Sequence, residues 1–201
     1  MRDQIRTLAL FDLDGTLTNR DSFLDFLVFA FGWYRTLLGF LHETLTLTRY
    51  ALGRTSTETA KEHVFSRFFR GMKAVDFDRR AAIYSTTRMP EILRKGALDR
   101  IRWHLDEGHD VFIVSASMRQ WIEPWAETES VRVIATEPER VDHVLTGKFQ
   151  TPNCRGEEKV KRIRGQIPLG DYAGIYVYGD SRHDEPMLKL ATEPVYRPFR
   201  S

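Results

Sequence analysis

Three short apolar runs, each ending abruptly in polar residues, constrain this fold most. Thr7-Leu-Ala-Leu-Phe11 stops at Asp12. Asp110-Val-Phe-Ile-Val-Ser115 ends on its own serine, and Gly174-Ile-Tyr-Val-Tyr-Gly179 stops at Asp180. The runs are continuous, not alternating, so both faces of each strand must be covered, as in a parallel sheet wrapped by helices. A weaker fourth run spans Val131 to Ala135. Helical patterns lie between them. Pro90 to Glu107 places Ile92, Leu93, Leu98, Ile101 and Leu105 at helix spacing before a stop at Gly108. Shorter patterns run from Glu157 to Arg164 and from His183 to Ala191. This alternation predicts an α/β fold with a doubly wound, mainly parallel sheet.

The stretch from Asp21 to Met89 breaks the rhythm. It contains no clear strand and reads as helices over Phe23–Tyr50, Ser56–Phe69 and Asp76–Met89, with Ser56 and Thr59 as an imperfect capping box. We therefore expect residues 1–20 and 90–201 to form the α/β core and residues 21–89 an inserted all-helical cap. No Pro-, Gly- or Ser-rich linker flanks the insertion, so it should pack on the core. A chain of 201 residues suits one domain with such an insert.

Lys and Arg total 30 against 28 Asp and Glu, a balance too even to point to nucleic acid. The start, Met-Arg-Asp-Gln-Ile, has no apolar signal core. The most apolar stretch, Phe23 to Leu41, is interrupted by Asp25, Gly32, Arg35 and Gly39, so no transmembrane segment is expected. Cys154 is the single cysteine, which rules out an internal disulfide and fits a reducing compartment. The expected location is cytoplasmic, with peripheral contact at the inner face of a membrane left open by the aromatic cap.

In an open α/β sheet, ligands bind beyond the carboxyl ends of the strands. There the sequence places Asp12-Leu-Asp14-Gly-Thr16, Ser115-Ala-Ser117 and Gly179-Asp-Ser-Arg-His-Asp184. The four carboxylates of Asp12, Asp14, Asp180 and Asp184 would repel one another without a cation. An all-oxygen donor set suits a hard ion, Mg²⁺. Ser115 adds a hydroxyl, and Lys159, early in the helix after Gly156, adds a positive charge. Together these groups suit a phosphoryl site, where spread negative charge is neutralised in the transition state. One carboxylate can attack phosphorus and a second can move the proton.

Phe11-Asp-Leu-Asp-Gly-Thr-Leu-Thr18 resembles the first motif of the haloacid dehalogenase superfamily. Ser115, Lys159 and Gly179-Asp180-Ser181 to Asp184 resemble its second, third and fourth motifs, in order. The resemblance implies a Rossmann-like core. It also implies Asp12 as nucleophile, Asp14 as general acid/base, and Thr16, Ser115 and Lys159 as phosphate contacts. Mg²⁺ would be held by Asp12, the Asp14 carbonyl and Asp180, with Asp184 supporting. Asp at position 14 implies phosphatase rather than dehalogenase chemistry. Asn153-Cys-Arg-Gly-Glu-Glu-Lys159 resembles the phosphoserine phosphatase-like branch, whose cap lies between motifs one and two. The chain departs from phosphoserine phosphatase itself at Gly15, where that enzyme has Ser, and at Asp21, where it has a cap Glu.

The function expected is Mg²⁺-dependent hydrolysis of a phosphate monoester through an aspartyl-phosphate on Asp12. The substrate would be a small-molecule or lipid ester, such as phosphatidylglycerophosphate, or another amine-free ester. Phosphoserine hydrolysis, phosphotransfer to an alcohol, and non-catalytic phosphate binding are the alternatives. Single Asp residues at strand ends are often only turn formers, and Thr16 reads equally as a helix start. His183 reads as a surface or loop residue. Cys154 reads as a buried small hydrophobe, and the Phe26–Tyr34 cluster reads first as cap core.

Overall fold

The computed structural model describes residues 6–44, 48, 52 and 56–200. Met1–Ile5, and most of the tail of the Phe23–Tyr50 stretch including Tyr50, lie outside them. The central sheet has five parallel strands: β1 (Arg6–Phe11), β2 (Asp110–Met118), β3 (Arg132–Thr136), β6 (Tyr172–Gly179) and β7 (Glu193–Tyr196). Their order is β3-β2-β1-β6-β7. The apolar runs are buried on both faces. Ala9, Phe11, Val111 and Ile113 face one core, and Leu8, Leu10, Phe112 and Val114 face the other. Helices α6 (Lys95–Asp106) and α7 (Arg119–Thr128) cover the first face with Ala97, Ile101, Trp121 and Ile122. The second is covered by α8 (Glu157–Gln166) and the short α9 (Glu185–Leu188), through Ile163 and Met187.

Between β1 and β2 stand α1 (Ser22–Phe31), α2 (Trp33–His42), α3 (Thr57–Phe69), α4 (Ala74–Thr87) and α5 (Met89–Ile92). Gly32, at φ 78°, breaks the predicted Phe23–Tyr50 helix, and α1 and α2 meet at 115°. Phe26 anchors this helical region. Its ring stacks on Trp121 of α7 at 4.6 Å and meets Tyr84 edge-on at 5.2 Å. Phe26, Phe65 and Phe77 belong to the same continuous core as Phe11 and Ile113.

Three sequence expectations need correction. The helix predicted over Pro90–Glu107 is interrupted, because Leu93 and Arg94 are extended. The Asn19 amide donates to the Ile92 carbonyl and the Arg94 amide to the Leu17 carbonyl, both at 2.8–2.9 Å. Tertiary hydrogen bonds to the turn after β1 thus override local helix propensity. The helix predicted over His183–Ala191 shortens to α9. The third point is a hairpin that the pattern did not reveal, β4 (Pro138–Val141) with β5 (Val144–Phe149). Its two turn residues, Asp142 and His143, both have positive φ, as the tight twisted turn requires, without the usual Asn-Gly signal. The hairpin packs on α3. A Cβ at Gly147 would lie 2.5 Å from the Ser66 hydroxyl, and Glu62 accepts from the Phe149 amide.

Behind β1, His104 is fully buried. Its Nε2 shares a hydrogen bond with the Tyr178 hydroxyl at 2.9 Å, and its Nδ1 shares one with His109 at 2.7 Å. Burial, with His109 and Arg100 nearby, lowers its pKa to about 3. The unfolded chain therefore takes up a proton near pH 6.5 that the folded protein refuses. This contribution to stability is complete above that pH and is lost as pH falls, by about 1.4 kcal/mol per unit. Compared with His104→Gln, wild type should lose about 2 kcal/mol of its advantage between pH 7.5 and 5.0. Urea unfolding of both proteins at both pH values checks this, since titrating groups that do not touch His104 cancel in the difference.

Candidate active site

The cavity at the carboxyl end of β1 and β6 has a volume of about 500 Å³. Asp12, Asp14, Lys159, Asp180 and Asp184 line it, from the ends of β1 and β6 and from α8; at the end of β2 Ala116 lines it, while the predicted Ser115 and Thr16 are fully buried behind the wall. Asp12 follows β1 directly, and its amide donates to the Tyr178 carbonyl at 2.9 Å. One Asp12 oxygen accepts from Lys159 Nζ at 2.5 Å and the other from the Thr16 hydroxyl at 3.1 Å. Thr16 is thus tied to Asp12 and is not the start of a regular helix. Gly15 makes the turn between them at φ 86°. A Cβ there would lie 2.6 Å from Asp180 Oδ2, so a serine at this position would collide with the acid.

Lys159 is buried, and its ammonium also donates to Asp184 at 2.7 Å. Burial opposes its charge, yet Asp12 and Asp184 hold it above the ordinary lysine range. The other Asp184 oxygen accepts from the Ser181 amide and hydroxyl. Lys159 and these donors overcome burial and hold Asp184 below the usual carboxylate range. Burial has the opposite outcome at Asp12, raising its carboxyl to about 7 despite Lys159. Asp180 accepts from Arg200 at 2.5 Å. Oxygens of Asp12, Asp180 and Asp184 lie within 4.8 Å of one another. Three acids so close, with oxygen as the only donor type, fit a hard divalent cation.

Asp14 lies apart from that trio. Its side chain accepts from the Ser22 amide at 2.7 Å and from the Ser117 hydroxyl at 2.6 Å, and Ser22 Oγ donates in turn to Ser117 Oγ. Burial, then the charge of Asp21, raises its carboxyl against these donors. A raised, positioned carboxyl is suited to carry a proton. Ser115 is fully buried at the end of β2, its hydroxyl accepting from the Ser117 amide at 3.0 Å.

Several cavity residues were not selected from the sequence. Lys61 of α3 lines the cavity, donates to the Ala116 carbonyl at 2.8 Å and sits 5.1 Å over the Phe23 ring. Burial lowers its pKa, while Asp14 and Asp21 pull the other way. A signal existed, since Lys61 falls in the apolar stripe of Ala60, Val64, Phe65 and Phe68, where lysine is out of place. Ser117 was visible as a second polar residue at the strand end. Arg155 and His183 also line the cavity, His183 as a partly exposed residue of the loop after β6. Asp21 lines it too, but one of its oxygens caps α1 by accepting from the Leu24 amide at 3.0 Å. Cys154 is buried, and burial pushes its thiol up, as a packing residue would show.

A model of the haloacid dehalogenase-like hydrolase family matches residues 9–189. Protein CicA of Caulobacter vibrioides is 31% identical over 195 residues, covering 96% of this chain and 86% of CicA. The histidinol-phosphatase of Neisseria meningitidis serogroup C is 25% identical over 217 residues, covering 95% of this chain and 90% of that one. Among solved structures, a protein of unknown function from Bordetella pertussis Tohama I superimposes with a TM-score of 0.81. It is 29% identical, with 96% of this chain and 90% of that chain covered.

Proposed function

The chain belongs to the haloacid dehalogenase-like hydrolases, and on that footing we propose that it is a Mg²⁺-dependent phosphomonoester hydrolase working through an aspartyl-phosphate on Asp12. One observation carries the reading: Asp12, shared with Lys159, opens onto the same cavity as Asp14, which Ser22 and Ser117 hold in place. The Asp12 carboxylate attacks phosphorus, the P–O bond to the alcohol breaks, and Asp14 gives that oxygen its proton. Asp14 then takes a proton from water as the water attacks the phosphoryl group on Asp12. Lys159, the Ser115 region and Thr16 neutralise or position charge around the transferred group. Asp12, Asp180 and the Asp14 carbonyl, with Asp184 in support, would hold Mg²⁺, which when bound would supply charge neutralisation for the phosphoryl oxygens. Residues 21–89 act as a cap over residues 1–20 and 90–201, excluding water and choosing the alcohol.

The cavity favours an amine-free ester. Lys61 and Arg155 present cations to the substrate, while Asp21 commits an oxygen to α1. A neutral or anionic alcohol portion, such as that of a lipid phosphate, could pair with Lys61 and Arg155, whereas a substrate ammonium would need the charge of Asp21, which lines the cavity beside them. The histidinol-phosphatase relative and the phosphoserine alternative argue for testing amines directly. A Mg²⁺ assay should compare phosphoserine, histidinol phosphate, sugar phosphates, nucleotides and phosphatidylglycerophosphate in micelles. Amine-free esters should turn over best. Lys61→Ala should raise KM for the best ester about tenfold or more with a smaller change in kcat, the loss of one charged hydrogen bond. Asp21→Asn should spare that ester. Efficient hydrolysis of phosphoserine, impaired by Asp21→Asn, with none of the lipid ester, would reverse the substrate reading. Transfer of phosphate to an added alcohol in place of water would favour the phosphotransferase alternative.

A further inference from the structure

Asp12 and Asp14 are held by separate sets of side chains. Lys159 and Thr16 bind Asp12. Asp14 is bound by Ser117, near the end of β2, and by Ser22, the first residue of α1. Among the described residues the two sets have no side chain in common. The helix that carries Ser22 is firmly seated. Phe23, Phe26 and Leu27 are buried, with Phe26 stacked on Trp121. Trp33 and Tyr34, beyond the bend at Gly32, are exposed, so that part of the aromatic cluster is not the core the sequence suggested and adds nothing to the seat.

The hold on Asp14 has a direction. The torsion that turns an Asp carboxyl is soft, so a single donor would leave it free to swing. Here the Ser22 amide donates to Oδ1 at 2.7 Å and the Ser117 hydroxyl to Oδ2 at 2.6 Å, one donor on each oxygen. That amide is one of the first N–H groups of α1, which the helix itself leaves free. Ser117 has one hydroxyl proton, and Ser22 Oγ donates to Ser117 Oγ at 2.9 Å, which turns that proton towards Asp14. Both serines are fully buried, so their hydroxyls must find partners within the protein. The two donors take two of the carboxylate's roughly four lone-pair positions and leave the others for a proton in transit.

We propose that Ser117, backed by the Ser22 hydroxyl, is a positioning residue for the proton transfers of Asp14 and takes no part in the attack by Asp12. This role rests on the phosphatase reading. In the first step the Asp12 carboxylate bonds to phosphorus. The P–O bond to the alcohol breaks with its electrons on that oxygen, which takes the Asp14 proton. In the second step Asp14 takes a proton from water as the water oxygen bonds to phosphorus. The P–O bond to Asp12 breaks and returns its carboxylate. Ser117 acts through Asp14 on the proton in each step.

The test uses the full chain with Mg²⁺ and two aryl esters. The leaving group of 4-nitrophenyl phosphate needs no proton, and the poorer one of phenyl phosphate does. Release of the phenol is followed from the first turnover, and intact-protein mass spectrometry follows the phosphoryl group on the enzyme. Ser117→Ala should form phosphoryl-enzyme from 4-nitrophenyl phosphate at close to the wild-type rate. It should hydrolyse that intermediate at least about tenfold more slowly, from loss of one charged hydrogen bond, so the intermediate accumulates. Phosphorylation by phenyl phosphate should slow as well. Ser22→Ala keeps the amide bond to Asp14 and should show the same pattern by a smaller factor. On an Asp14→Asn background, Ser117→Ala should cost nothing further, because a residue that acts through Asp14 is silent without it. The double variant Ser22→Ala, Ser117→Ala strands no buried hydroxyl and reads the same steps if Ser117→Ala does not fold. Equal slowing of both esters and both steps, or a full additional loss on the Asp14→Asn background, would make Ser117 merely structural and overturn this role. So would wild-type rates in Ser117→Ala. Wild type that turns over neither ester and takes up no phosphoryl group would overturn the phosphatase reading, and this role with it.

Discussion

Asp12→Asn should abolish turnover, by at least about a thousandfold, and leave the protein as stable as before or more so. The amide keeps the shape, and its oxygen can still accept from Lys159. It cannot attack phosphorus. A factor of a thousand is about 4 kcal/mol of transition-state stabilisation, a modest figure for removal of a nucleophile. The stability half of the expectation comes from burial. The Asp12 carboxyl is raised to about 7, so its ionised form is costly in the folded protein, and Asp184 adds repulsion. A neutral amide removes both costs. Steady-state hydrolysis of a soluble aryl phosphate, with thermal unfolding in the absence of metal, checks the two halves together. Asp14→Asn should behave differently on the aryl phosphate, whose leaving group needs no proton from Asp14: Asp12 can still be phosphorylated while the water step is starved of its base. Intact-protein mass spectrometry should then catch one added phosphoryl group. Near-normal turnover by Asp12→Asn would remove Asp12 from the mechanism.

The legibility of this chain varies with how local each signal is. The parallel strands declare themselves because a strand covered on both faces must be apolar at every position, as Leu8 to Phe11 are. Edge strand β7 carries no such run. Glu193 and Pro194 are exposed, and its pairing comes wholly from β6. The β4–β5 hairpin escaped because Asp142-His143 supplies the required positive φ without glycine. The Leu93–Arg94 break escaped because its cause, the turn at Leu17 to Asn19, is more than seventy residues away in sequence. The candidate site divides the same way. Asp12, Asp14, Asp180 and Asp184 stand at strand ends, where position alone singles them out. Lys61 reaches the cavity from a helix in the insertion, and only packing of that helix over Phe23 brings its ammonium to the Ala116 carbonyl. Ser117 was on the page but without a partner to give it a task, which Asp14 supplies.

Chelation by EDTA should abolish activity, and added Mg²⁺ should restore it. Without a cation, Asp12, Asp180 and Asp184 stand within 4.8 Å of one another, and the buried Lys159 ammonium serves only Asp12 and Asp184. Asp180 relies on Arg200, whose side chain is 43% exposed and so only weakly compensates a charge facing the cavity. A phosphate dianion entering that cavity would add to the repulsion. It would also meet an Asp12 carboxyl that burial has raised to about 7 and that must be ionised to attack. A divalent cation reverses both effects by favouring the charged carboxylates. Ca²⁺ should restore activity poorly, because it takes more ligands at longer distances than three carboxylates and a phosphate oxygen provide. Binding should be visible without turnover. Mg²⁺ at about a hundred times its dissociation constant should add about 2.7 kcal/mol of stability through linkage, and Asp180→Asn should shrink that gain. Full activity in excess chelator, or a melting temperature indifferent to Mg²⁺, would mean that the three carboxylates are held together for some purpose other than binding a metal.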